Sequence, residues 1–187
     1  MERSPQDVFR RQEQKAHVLQ ELLERLGIGR GDRILDIGSG PGYASLLAAE
    51  KVGPEGVVWA IDSDEAALAH LRQTRRERGV TWLHTLVADA ATFTPPEAGI
   101  TRFLLADTLH HTPDPGAILR HLAEVLPPGS RGVVSDYDPA VERRVGAPLA
   151  MRLPEERVRA WLESAGFVIE EAWRPPDEHY AFLVRRP

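Results

Sequence analysis

Residues 34–45 read ILDIGSGPGYAS, and this stretch constrains the whole chain more than any other. Apolar β-formers enclose an acid, glycines fall at positions 38, 40 and 42, and a helix-compatible run follows. The pattern predicts a strand, a tight turn and a helix opened by Tyr43. Gly38, Gly40 and Gly42 permit backbone dihedrals closed to other residues and remove the Cβ atoms that would hold a ligand off the main chain. At the N-terminus of that helix, amide donors and the positive dipole end favour an anionic or polar group.

Several cofactor classes use such a loop. A dinucleotide fingerprint wants a third glycine where this chain has Tyr43, and a nucleotide-triphosphate loop wants a Lys-Ser/Thr pair that is absent. What the residues match is D-x-G-x-G-x-G, formed by Asp36, Gly38, Gly40 and Gly42. In this the chain resembles the class I S-adenosylmethionine-dependent methyltransferases, whose first motif closes β1 in this form. A purely structural turn is the competing explanation, and acids at the ends of the following strands would decide against it.

With 187 residues the chain suits one domain spanning 1–187. It has no cysteine, which excludes disulfides, thiolate metal sites and thiol nucleophiles, and with them arsenic methyltransfer through cysteines. A net charge of -5 argues against a dedicated nucleic-acid binder. No run of about 18 apolar residues predicts membrane insertion, and the first residues lack an apolar signal core, so a cytoplasmic protein is expected.

Ser4, Pro5 and Asp7 begin a helix that the leucine spacing at 19, 22, 23 and 26 carries to Gly27, so one N-terminal helix is expected within residues 1–29. Its first half, with Phe9, Arg10, Arg11 and Lys15, resembles the segment that folds over the cofactor in many family members. Strands are expected at 57–61, 80–87, 101–106 and 132–135, with helices between them. A last helix over 154–165 precedes two strands, 167–173 and 180–185, joined as a hairpin through Pro175, Pro176 and Asp177. Alternating βα units predict a doubly wound α/β sandwich. The resemblance completes its seven-stranded, mostly parallel sheet as order 3-2-1-4-5-7-6 with β7 antiparallel.

In such a sheet ligands lie outside the carboxyl ends of the strands, where Asp36, Asp62, Asp89, Ala106 and Asp136 all fall. Asp62 stands about 20 residues after the glycine loop, the spacing of a ribose-binding acid, although Asp62 with Glu65 also fits a capping box. The resemblance implies that Asp36 and the glycines hold the methionine end, Asp62 with Ser63 the ribose, Asp89 and Ala90 the adenine, and the Ala106 carbonyl the amino group. The stretch LLADTLHHTPDP looks like the LHH-x-x-D-P variant of small-molecule members, similar to the ubiquinone and menaquinone group. It lacks the Asn/Asp-Pro-Pro-aromatic motif of base amino methylation.

The expected reaction is in-line methyl transfer from S-adenosylmethionine to a small-molecule acceptor, with S-adenosylhomocysteine as product. His110 and His111, beside β4, are the candidate general bases, and adjacent residues rarely point the same way, so at most one of them, His110 before His111, should face the pocket; a histidine that packs and bonds to a backbone carbonyl is the competing reading. A metal set from Asp107, His110, His111 and Asp114 has the right atoms but no familiar spacing, and no metal is expected. Residues 137–153 show no clean period and are expected to lie on the substrate side. Arg143, Arg144 and Arg152 there are either anion receptors or solvated, and His179 and Tyr180 are outside candidates for lining the acceptor pocket. A homodimer could complete that pocket. Two other classes stay open: a silent S-adenosylmethionine-binding module and an NAD(P)-dependent oxidoreductase.

Overall fold

The structure is a computed structural model that describes residues 4–141 and 146–187. The elements run α1 (Pro5–Gln14), α2 (Ala16–Leu26), β1 (Arg33–Ile37), α3 (Tyr43–Val52), β2 (Val57–Asp62), α4 (Glu65–Glu77), β3 (Leu83–Val87) and β4 (Arg102–Ala106). There follow α5 (Pro115–Val125), β5 (Arg131–Tyr137), α6 (Glu155–Ser164), β6 (Val168–Trp173) and β7 (His179–Arg185). One seven-stranded sheet has the order β3-β2-β1-β4-β5-β7-β6. β7 pairs antiparallel with β5 and β6, and the other pairs are parallel. Among the described residues no helix is long and apolar enough to cross a membrane.

Strand alternation sorts the core onto two faces. Ile34, Val58, Leu104 and Val133 pack with α2, α3 and α4, while Leu35, Ile37, Phe103, Leu105 and Val134 pack with α5 and α6. Burial on both faces is what parallel strands require, and it explains their near-continuous apolar sequence. One close approach fixes the spacing of the central strands. A Cβ added to Gly132 would stand 2.1 Å from the Phe103 ring, which therefore occupies the room a side chain on β5 would need. Gly132→Ala is expected to destabilise the fold by about 1–3 kcal/mol, read as a lower denaturation midpoint at unchanged m-value.

The N-terminus departs from the expected single helix. α1 starts as its sequence predicts, with Ser4 Oγ accepting from Asp7 N, but the chain leaves helical geometry at Lys15 before α2 begins. α2 buries Val18, Leu19, Leu22, Leu23 and Leu26, whereas no residue of α1 is buried. The break needs neither glycine nor proline. It turns the Lys15 side chain inward, where Nζ pairs with Asp107 and Tyr137, and distant partners of this kind leave no trace in helical periodicity.

Candidate active site

A cavity of about 800 Å³ opens at the carboxyl ends of β1 to β5. Its walls come from the glycine loop, the ends of β2 and β3, the segment after β4, Tyr137, one side of α1 and the stretch around Ala147 to Met151.

The glycine loop acts through its shape. Gly38 (φ +71) makes room for the Thr108 side chain and Gly42 (φ +85) for Leu71, each within 2.4 Å of where a Cβ would stand. Gly40 (φ +55) alone meets nothing but Gln12 Nε2 at 3.5 Å, so it brings bare backbone to the cavity. The loop amides are not waiting for an anion, contrary to the expectation from sequence. Gly38 N and Ser39 N donate to the Ile61 carbonyl, Gly40 N to Asp62 Oδ2, Gly42 N to the Ser39 carbonyl and Tyr43 N to Gln12 Oε1.

Gly38, Gly40, Asp62, Ser63, Asp89, Ala90, Ala106, His110 and His111 all line this one cavity, while Asp36 and Gly42 stand behind it. Asp36 is buried, accepts from Ser45 Oγ at 2.5 Å, and burial pushes its carboxyl up to about 6. Asp62 accepts Gly40 N at 2.7 Å on one oxygen and Asp64 N at 2.9 Å on the other, which leaves lone pairs on both for a ligand. It is not the cap of α4. That role belongs to Asp64, which accepts from Ala66 N and Ala67 N. Asp89 is exposed and closes a turn by accepting Ala91 N at 2.7 Å, so turn geometry and an open oxygen coexist.

After β4 the chain enters left-handed backbone at Asp107 (φ 55), which aims its carboxylate at the cavity wall. Lys15 Nζ and Tyr137 Oη donate to one Asp107 oxygen, the latter at 3.0 Å, and His179 Nε2 stands 3.0 Å from the other. Although buried, Asp107 is held well below the usual carboxylate range by Lys15 and His179. Burial and Asp107 push the Tyr137 phenol far up, so it remains a donor.

His110 lies on the short turn Leu109–His111, packed under the cavity. Its Nδ1 is 2.7 Å from Asp136 Oδ1, and its backbone N donates to Asp136 Oδ2 at 3.1 Å. Asp136 is fully buried and also accepts Tyr137 N at 2.7 Å. A carboxylate only accepts, so Nδ1 is the ring nitrogen that donates to Asp136, and Nε2 is the one left for another partner. His111 is exposed, its ring 4.0 Å from that of His110, and partial desolvation, followed by the neighbouring imidazole, lowers its basicity.

The four residues weighed as a metal set turn to different partners: Asp107 to Lys15 and His179, His110 to Asp136, and Asp114 caps α5 by accepting Ala117 N. Several other sequence expectations change. Arg152 is neither an anion receptor nor solvated. It is 5 % exposed, and its guanidinium binds the carbonyls of Ala147, Asp138 and Val141 and the Glu178 carboxylate, which pins the segment after β5. Arg143 and Arg144 lie outside the described residues. His179 and Tyr180 do not line the cavity. His179 supports Asp107 from behind, and Tyr180 is core, with its hydroxyl on the Leu153 carbonyl. The sequence places Asp136 at a strand end and Lys15 in the segment over the cofactor, but not the partners of either or of Tyr137, since those contacts are made more than 25 residues away.

Comparison with known proteins agrees with this geometry. A family model described as a methyltransferase domain matches residues 28–173. The aklanonic acid methyltransferase DauC of a Streptomyces species is 29% identical over 153 residues, covering 72% of this chain and 70% of that one. A ubiquinone/menaquinone biosynthesis C-methyltransferase of Bordetella parapertussis is 29% identical over 126 residues (67% and 46%), and a protein-L-isoaspartate O-methyltransferase of Ignicoccus hospitalis is 29% identical over 106 (57% and 49%). The chain thus spans about half the length of these last two relatives. In fold, a methyltransferase structure from Aquifex aeolicus superposes with a TM-score of 0.88 over 100% of both chains at 21% identity. The model match takes in the glycine loop, the strand-end acids and the histidine turn, and with it the chain belongs to the class I S-adenosylmethionine-dependent methyltransferases.

Proposed function

We propose that the chain methylates a small-molecule acceptor from S-adenosylmethionine, with His110 as the base that takes the acceptor's proton. The observation that carries the reading is His110, held from behind by buried Asp136, lining the same cavity as Asp62, Asp89 and the bare backbone of Gly40. The residues fit the cofactor: Gly40 offers close approach, the open lone pairs of Asp62 suit vicinal hydroxyls, and Asp89 with Ala90 suits an amino-substituted ring.

The cofactor supplies an electrophilic methyl on a sulfonium. The chain's part is to position, and holding two reactants in line accounts for about 7 to 11 kcal/mol in favourable cases. Where the acceptor is a hydroxyl or an acidic carbon, His110 Nε2 receives the proton and Asp136 holds the ring in the tautomer that can do so. A cavity of about 800 Å³, within the usual range for small-molecule sites, leaves room for a compact acceptor beside a nucleoside. Ala147, Pro148 and Met151 border it, in keeping with a substrate-side role for residues 137–153 of a single domain spanning 1–187. The net charge of -5 favours a dissolved acceptor, in the cytoplasm, over nucleic acid.

Calorimetric titration with S-adenosylmethionine and S-adenosylhomocysteine, with NAD and NADPH as controls, tests the cofactor assignment. Only the first two are expected to bind, and Asp62→Ala is expected to weaken them by about 1–3 kcal/mol, the cost of unpaired hydroxyls. Turnover on a compound panel that includes an isoaspartyl peptide tests the acceptor class. Methylation of the peptide alone would overturn the small-molecule reading, and cofactor binding with no turnover on any compound would favour a silent module.

A further inference from the structure

Along the sheet edge the cavity has two halves of different character. The ends of β2 and β3 bring Asp62 and Asp89, and the ends of β4 and β5 bring Asp107, His110 and Tyr137, joined from α1's end by Lys15. In this second half both carboxylates are committed. Asp107 has its charge matched by Lys15 and takes further donors from Tyr137 and His179, while buried Asp136 takes three donors from His110 and Tyr137.

Beside Arg11, whose guanidinium is held by the Gly146 carbonyl, and exposed His111, this half brings the Lys15 ammonium and the His110 ring to the cavity. An ammonium has three N–H groups, and Lys15 uses two of them on Asp107 and Tyr137. Its Nζ lies 4.8 Å from the centre of the Tyr137 ring, and the His110 ring centre lies 5.4 Å from the same ring, edge to face, so Tyr137 is the common neighbour of both. A hydroxyl that gives its proton to His110 Nε2 matches this pair when a second oxygen beside it accepts from Lys15. A protonated amine in this half meets a cation, and both carboxylates there, Asp107 and Asp136, are already committed.

Resting on the proposed methyl transfer with His110 as base, we propose that Lys15 selects the acceptor, and that the acceptor is an oxygen acid whose reacting hydroxyl or enol neighbours a carbonyl or carboxylate oxygen. In the reaction the hydroxyl proton passes to His110 Nε2, the bond from methyl to acceptor oxygen or enol carbon forms, and the bond from methyl to sulfur breaks with its electron pair staying on sulfur. Lys15 keeps its proton and holds the second oxygen throughout.

The test uses a matched pair of probes, salicylate and 2-hydroxybenzylamine, titrated onto protein saturated with S-adenosylhomocysteine. Salicylate is expected to bind about tenfold tighter or more. Lys15→Arg is expected to keep that order. Lys15→Met is expected to reverse it, because Asp107 loses its counter-charge and recruits the ammonium, a change of sign that a merely loosened site would not show. Equal binding, tighter binding of the amine, or no binding of either probe to the wild type at millimolar concentration would overturn the proposal. So would a Lys15→Met variant that loses S-adenosylhomocysteine while keeping the salicylate preference, since Lys15 would then serve the cofactor. Failure of the wild type to bind S-adenosylhomocysteine is read before any probe is added, and it would instead overturn the methyltransfer reading beneath.

Discussion

His110→Gln is expected to lower the rate of methyl transfer by about 10² to 10⁴-fold while leaving S-adenosylhomocysteine affinity unchanged. Glutamine preserves much of the ring's volume but cannot take a proton at neutral pH. The cofactor contacts expected from Gly40, Asp62 and Asp89 lie on other strands, so binding of the product nucleoside is insulated from the change. Asp136→Asn probes the same function one step removed. Its amide NH2 would replace one of the two oxygens: in place of Oδ1 it faces His110 Nδ1 and Tyr137 N and favours the tautomer with the proton on Nε2, and in place of Oδ2 it faces His110 N. The rate should fall with little change in KM, measured by single-turnover kinetics on whichever panel compound is methylated. A loss confined to KM would assign the pair to acceptor binding instead.

Asp36→Asn is expected to stabilise the protein at pH 8 by as much as about 3 kcal/mol, from a pKa pushed from 3.8 up to about 6. The cause is burial, opposed by the Ser45 hydrogen bond and reinforced by the charge of Asp62. A carboxyl whose folded pKa is raised disfavours its own ionisation in the native state. That unfavourable contribution is absent below the unfolded pKa, grows as pH rises through about 6, and is complete above it. Wild type and variant should therefore denature alike near pH 4 and diverge by pH 8, as read from urea midpoints at each pH. Asparagine retains a carbonyl oxygen for Ser45 Oγ, which limits the loss on the other side. Titrating the variant with S-adenosylhomocysteine then separates a role in seating the glycine loop from direct contact with the cofactor.

Local signals carried the architecture. The apolar run around the acid in ILDI, the spacing of Leu119 and Leu122 on α5, and Asp114-Pro115 at its start each describe a few adjacent residues, and such patterns place strands, helices and caps. The common cavity of Asp62, Asp89 and Ala106 was legible for the same reason, since parallel strands of known order must bring their ends together. The illegible parts all depend on the identity of a distant partner. Arg152 looks like any solvated arginine until Ala147, Asp138 and Glu178 close around it. Lys15 sits in an apparently continuous helix until Asp107, 92 residues later, supplies the reason for the break. Even the glycine loop was half legible: the φ angles were foreseeable, whereas the consumption of its amides by Ile61, Asp62 and Gln12 was not.

The way α1 is held has a consequence for exchange of whatever lies beneath it. The helix buries no side chain, and it is tied to three separate parts of the body: Gln12 to Ser39 and Tyr43, Arg11 to the Gly146 carbonyl, and its terminal neighbour Lys15 to Asp107 and Tyr137. Lifting it breaks a handful of hydrogen bonds and the packing of one part-buried ring, Phe9, against Tyr43 and His70, so its opening free energy lies below that of global unfolding and responds less to denaturant. Hydrogen exchange at its amides should accordingly be fast against that of α2, and ligand residence time should follow the breathing of this one helix.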